Sequence, residues 1–189
     1  MELTLLRHGK PDIETSTAIN ASAMNAWIAD YDAAGIMDMP AASIVAGFNG
    51  QFVVASPMRR TLESVTALGL KPDMILDALY EAPLPAFNLP LLKLTPLAWA
   101  TAFRLVWMAG ASGGVESFSS VKKRAKSVSD ELANLAEVHG RVISIGHGFM
   151  NMLIARELQK AGWKQQNSGE SGYWSPRVLV RDSSEVDVF

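Results

Sequence analysis

Glu2-Leu3-Thr4-Leu5-Leu6-Arg7-His8-Gly9 is the stretch on which the reading of this chain turns. The β-type run ELTLL passes directly into two polar side chains and a glycine, whose lack of a Cβ lets the backbone bend sharply after a strand. A strand thus delivers His8 to its C-terminal edge. The same construction recurs far along the chain, where Val142-Ile143-Ser144-Ile145 leads into Gly146-His147-Gly148. Two strand-to-glycine turns, each presenting an imidazole, are much harder to obtain by accident than one. Between them, Gln51-Phe52-Val53-Val54-Ala55 is apolar after its first residue, as expected of a strand buried on both faces of a parallel sheet. Ser56-Pro57 then reads as a helix start, with Ser56 as the cap and Pro57 at the first helical position. The helix, Met58 to Leu68, carries Arg59 and Arg60 in its first turn.

Working outward, Ala21 to Ala34 is helix-like, with Met24, Ile28 and Tyr31 at helical spacing and Gly35 placed to end it. Asp73 to Leu79 reads as a third strand with Tyr80-Glu81 at its end. Ala82 to Pro90 contains Pro83, Pro85 and Pro90, which forbid regular helix and point to a loop across one edge of a site. Phe118, Val121, Ala125, Val128, Leu132 and Leu135 form the strongest helical period, predicting a helix that runs to about His139. Another helix is expected over Phe149 to Ala161, and Val178 to Val180 closes the sheet as a late antiparallel strand. Strands alternating with helices indicate an α/β fold, a three-layer sandwich whose mostly parallel central sheet is flanked by helices. Sites in such folds form at the C-terminal ends of the strands. No repeat or linker divides the chain, so residues 1–189 are read as one domain, with 82–110 as the segment that would supply a small cap. In that segment Trp99, Phe103, Val106 and Trp107 form an apolar helical face, read as core, with a cap over the active site as the alternative.

Composition narrows the function classes. The 189 residues are 49% hydrophobic and 19% charged, ample for a core. Lys plus Arg number 17 against 19 Asp plus Glu, a net charge of -2, so there is no basic excess to neutralise a nucleic-acid backbone. With no cysteine, disulfides, thiolate catalysis and cysteine-held metals are excluded. The apolar stretch from Pro96 to Gly110 carries Arg104 and falls short of the ~20 apolar residues a membrane helix needs. No signal-like apolar region precedes Arg7, and the protein is read as cytoplasmic, without a membrane partner.

The two imidazoles and the arginines gather at one sheet edge, and the chemistry they imply is phosphoryl transfer. Phosphate oxygens call for planar bidentate donors, which arginine supplies better than lysine, and developing charge calls for fixed donors. Arg7, Arg60 and His147 fit those roles. An imidazole nitrogen is a competent nucleophile toward phosphorus when its other nitrogen is hydrogen-bonded, which suits His8. A carboxyl group raised in pKa by burial or nearby negative charge would protonate the leaving alkoxide. Glu81, at a strand end, is the first candidate, with Asp77, Glu63 and Glu116 as the other acids within reach. Neither a cysteine set nor a close histidine cluster exists to hold a metal, so no cofactor is expected. Arg59 is read as solvated or at the pocket rim, and His139, beside Gly140 at a helix end, as structural. Lys122, Lys123 and Lys126 read as a solvated face, and Trp163 and Trp174 as packing residues.

The ordered pieces Leu6-Arg7-His8-Gly9, Ser56-Pro57-Met58-Arg59-Arg60-Thr61-Leu62-Glu63-Ser64, Glu81, Glu116-Ser117 with Arg124, and Ile145-Gly146-His147-Gly148 resemble the histidine phosphatase superfamily, the phosphoglycerate mutase-like family. The resemblance implies a phosphoglycerate mutase-like fold in which His8 becomes phosphorylated, Glu81 donates a proton, and Arg7, Arg60 and His147 hold the phosphate. It departs at Glu63-Ser64, where the family has Gln-Thr, and at Gly146, where it often has serine; both positions are read as peripheral to the phosphate pocket. It departs also after the acid, where Ala82-Pro83-Leu84-Pro85 replaces a Gly-rich, Trp-containing stretch, so the substrate wall is not of the mutase type. The implied activity is a metal-independent phosphatase acting on a small phosphorylated metabolite or a phosphoprotein. The alternatives are a phosphohistidine-protein phosphatase, a mutase-like phosphotransferase and a non-catalytic phosphate-binding module. Specificity is expected to lie in 11–46 and 82–110.

Overall fold

The structure is a computed structural model that describes residues 1–89, 91–167 and 172–182. In chain order the elements are β1 (Glu2–Arg7), β2 (Ile19–Asn20), α1 (Met24–Ala33), α2 (Ala42–Val45), β3 (Phe52–Ala55), α3 (Arg59–Ala67), β4 (Met74–Ile75) and β5 (Lys93–Leu94). They continue with α4 (Pro96–Met108), α5 (Phe118–His139), β6 (Arg141–Gly146), α6 (Gly148–Lys160), β7 (Lys164–Gln165) and β8 (Pro176–Val180). The main sheet has the order β4-β3-β6-β1-β8-β7, and β2 and β5 make a separate two-stranded ribbon. β1, β3, β4 and β6 run parallel, while β8 returns antiparallel to β1.

Both faces of this sheet are mostly apolar, which is why β3 reads as a continuous hydrophobic run and β1 and β6 as runs broken only by the buried Thr4 and Ser144. Leu3, Leu5, Val54 and Val142 point to one side, where Val121, Ala125, Val128 and Leu132 of α5 and Ile154 and Leu158 of α6 cover them. Leu6, Val53, Ala55, Ile143 and Ile145 point to the other, against Val65 and Leu68 at α3. A third cluster stands apart from both: Ala21 and Met24 pack on Trp99 and Phe103 of α4, with Trp27, Ile28, Leu84 and Phe87 around them. Trp99, Phe103 and Trp107 are buried as the stripe predicts, but Val106 is exposed.

Two expectations are corrected. Only Met74 and Ile75 of the third strand pair, as an edge; the chain then leaves the sheet in a 3₁₀ turn over Asp77–Leu79, closed by the Leu79 amide on the Leu76 carbonyl. With nothing beyond β4 to pair with, the backbone polar groups find partners inside the chain instead. Glu81 therefore follows a turn, not a strand. The helix after β3 starts at Arg59 with Met58 in the cap position, and Ser56 Oγ reaches only the Met58 amide, at 3.5 Å, and none of the helix's own N–H groups. Its hydroxyl is used elsewhere. Pro90, the last proline of the 82–90 loop, lies outside the described residues. Among the described residues no helix is long and apolar enough to cross a membrane.

Candidate active site

Sheet register assembles the site. Leu6 and Ala55 both pair with Ile145, and Arg7 pairs with Gly146, so β3, β6 and β1 end in one row. The residues that follow, Ser56, His147 and His8, are carried to the same edge. His8 and His147 are both buried, their rings 5.1 Å apart between centroids.

At His8 the tautomer is decided by its neighbours. Nδ1 lies 2.7 Å from the Gly9 carbonyl oxygen, which only accepts, so Nδ1 carries the proton. Arg60 Nε donates to His8 Nε2 across 3.3 Å, which leaves Nε2 as the lone-pair nitrogen. Burial, and after it the Arg60 guanidinium, hold the imidazole down at about 3, so it is neutral near pH 7. Gly9 is itself clamped, since its amide donates to Ser64 Oγ at 2.9 Å, and Ser64 donates to the Arg60 carbonyl at 2.6 Å. Ser64 is therefore not peripheral: it joins the turn that holds His8 to the helix that holds Arg60. A Cβ at Gly9 would collide with the indole of Trp174, whose Nε1 donates to Asp38 at 2.9 Å.

Arg60 is fully buried, and its guanidinium also reaches the end of α1, at the Tyr31 carbonyl (3.0 Å) and, more loosely, Asp32 Oδ1 (3.5 Å). Its guanidinium lies over the Tyr31 ring, and burial pushes that phenol up to about 12. Burial likewise raises Asp32 above the ordinary carboxylate range, against the pull of Arg60. Arg7 projects from the end of β1 over the ring of Tyr173, which also touches His8. Arg7 packs closely on Gly148, where a Cβ would stand 3.1 Å from Arg7 Nε and crowd the guanidinium.

His147 Nε2 meets Ser56 Oγ at 2.9 Å and Thr61 Oγ1 at 3.4 Å, while Nδ1 is buried with no hydrogen-bond partner among the described residues. Burial, then the charges of His8 and the arginines, keep this ring well below its ordinary value and hence neutral. Glu81 sits at the N-terminus of α6: Oε1 accepts from the Met150 amide at 3.1 Å and Oε2 from the Phe149 amide at 3.4 Å. The other candidate acids are engaged or remote. Glu63 binds Arg59 and the Ile36 amide, Glu116 binds Arg124 and the Tyr80 hydroxyl, and Asp77 is exposed. Arg59 lies on the solvent side, and His139 stacks on Phe52 away from the site.

Sequence reasoning missed Ser56 and Thr61 as partners of His147, Ser64 as the clamp, and Tyr31, Asp32 and Tyr173 as walls. Ser56, Thr61 and Ser64 stood inside a quoted motif, so a signal existed for them; for Tyr31, Asp32 and Tyr173 none did. A cavity of about 310 Å³ opens beside this row, bounded at its inner end by Arg7, Tyr31, Met58, Glu81 and Tyr173. A second, of about 340 Å³, lies on the far side of Arg7 and Glu81, against Leu5 and Asn151. Among the described residues no three His, Asp or Glu side chains converge as metal ligands.

The family model described as "Histidine phosphatase superfamily (branch 1)" matches residues 3–185. The structure resembles that of the open reading frame Rv3214 from Mycobacterium tuberculosis, with a TM-score of 0.59 at 18% identity, covering 97% of this chain and 92% of that one. It also resembles a phosphoserine phosphatase mutant from Entamoeba histolytica in complex with phosphoserine, with a TM-score of 0.54 at 15% identity and 95% of each chain covered. These likenesses establish the fold. No curated protein matches the sequence.

Proposed function

This chain belongs to the histidine phosphatase superfamily and is a phosphatase-type enzyme, and from that premise we propose that it hydrolyses a small phosphate monoester, without a metal, through a phosphohistidine on His8. The observation that carries the reading is the polarity of the His8 ring: Nδ1–H is tied to the Gly9 carbonyl, so a neutral Nε2 lone pair is left facing the cation that would bind the phosphate.

In this mechanism Arg7, Arg60 and His147 hold the phosphoryl oxygens. Ser56 Oγ donates its proton to His147 Nε2, so Nδ1–H is the buried donor that meets an oxygen. His8 Nε2 attacks phosphorus in line as the ester P–O bond breaks. Glu81 gives its proton to the departing alkoxide, then takes one from the water that displaces His8 from phosphorus, releasing inorganic phosphate and restoring both side chains. The third apolar cluster, formed by α1, α4 and the loop after Glu81, acts as the cap. The modest 310 Å³ volume of the cavity supports a small ester over a phosphoprotein.

The test is rapid quench of a ³²P-labelled substrate in EDTA. Label should be retained in alkali, lost in acid and absent from His8→Ala. An alkali-labile adduct, label persisting in His8→Ala, or a need for added divalent ion would each overturn the reading.

A further inference from the structure

Resting on the phosphatase reading, we propose that the preferred substrate is the monophosphate of an uncharged, apolar alcohol or phenol. A sugar or a carboxylic acid is expected to fit poorly. The argument comes from the outer part of the 310 Å³ cavity, beyond the phosphate-binding end. Its wall is Trp27, Ile28, Met58, Leu84, Leu97 and Ala100, drawn from α1, the loop before α3, the loop after Glu81 and α4.

Two of the polar side chains that share this wall, Arg104 and Tyr80, are already committed. Arg104 donates to the Pro83 carbonyl at 2.7 Å and the Ala82 carbonyl at 3.0 Å, and its guanidinium lies over the rings of Trp107 and Phe149. It braces the loop after Glu81, so it is not a free fork for a substrate carboxylate. The Tyr80 hydroxyl donates to Glu116, and its ring lies under Arg124. The rings of Tyr31 and Tyr173 lie beneath Arg60 and Arg7, at the phosphate end. Asp32, half exposed and turned toward Arg60, repels a second anion on the substrate. A site that reads hydroxyl or carboxylate groups needs donors and acceptors left free for them, because unpaired polar groups on the buried ligand cost free energy. What this wall offers is apolar surface, which rewards each methylene removed from water.

A homologous series of straight-chain alkyl monophosphates, methyl to hexyl, tests this, because the leaving alcohols are chemically alike and differ only in buried surface. We expect kcat/KM to rise about fourfold per methylene until the cavity is filled. Ala100→Phe should move the peak to shorter chains and Leu97→Ala to longer ones, opposite shifts that a merely structural role would not give. Phosphocholine and its neutral isostere 3,3-dimethylbutyl phosphate separate a cation-binding wall from an apolar one, and the neutral ester should lead by about tenfold or more.

A flat or falling alkyl series, phosphocholine ahead of its isostere, or phosphoserine or a sugar phosphate ahead of butyl phosphate would overturn the assignment. p-Nitrophenyl phosphate is run beside the series. If it and every other ester are inert, the phosphatase reading itself fails and the substrate class falls with it. If it is hydrolysed while the series is flat, only the substrate class fails.

Discussion

Substituting His8 by Asn should make the fold less sensitive to acid, and the size of the change follows from the burial of the ring. Folded His8 is held at about 3, by burial first and then by Arg60, while in the unfolded chain it returns to its ordinary 6.5. Between those values the unfolded state binds a proton that the folded state refuses, so folding stability rises with pH and is lost as pH falls below 6.5. Each pH unit inside the window is worth about 1.4 kcal/mol. From pH 7 to 4.5, His8 alone thus removes about 2.5 kcal/mol. His8→Asn lacks this contribution, while the carboxylates and His147 titrate in both proteins and largely cancel. The stability advantage of wild type over the variant should shrink by about 2.5 kcal/mol between the two pH values. Urea titrations followed by the fluorescence of the five tryptophans measure it, provided the m-values agree. A difference that stays constant within about 0.5 kcal/mol would mean that His8 takes up its proton in the folded state near its ordinary pH, and the neutral-nucleophile argument would be refuted.

Glu81→Gln keeps an oxygen for the Met150 amide but removes the proton, so it should lower kcat/KM, which reports the steps up to departure of the leaving group, by about 10²- to 10⁴-fold for an alkyl phosphate while sparing that of p-nitrophenyl phosphate, whose leaving group departs as an anion. Equal losses in kcat/KM on both esters would assign Glu81 to positioning instead. Gly9→Ala drives a methyl into the Trp174 indole and should destabilise the fold by about 1–3 kcal/mol. It should also displace the Gly9 carbonyl that fixes the His8 tautomer, so unchanged kcat and Tm would argue against the clamp.

The sequence alone determined the local pieces. β1 and β6 were legible because apolar runs ending in Gly-flanked histidines combine a strand period with a forced turn, and α5 because its stripe repeats at helical spacing over its whole length. Arg7, His8, Arg60 and His147 could be named because each stands at the end or start of such an element. Tertiary structure decided how those pieces meet. Ser56 reads locally as a helix cap, yet its hydroxyl bonds His147, 91 residues away, since the register of β3 beside β6 brings both strand ends to one row. Ser64 reads as peripheral to the phosphate pocket, yet it holds Gly9, 55 residues away. Glu81 reads as a strand end, but β4 is an edge with no neighbour to pair, so the chain turns away and lays the carboxylate on the first amides of α6. Periodicity and turn chemistry report forces between residues a few positions apart. Register, edge position and the filling of a cavity wall are set by packing between distant segments, and these laid Arg60 against His8 Nε2 and gave the outer cavity its apolar lining.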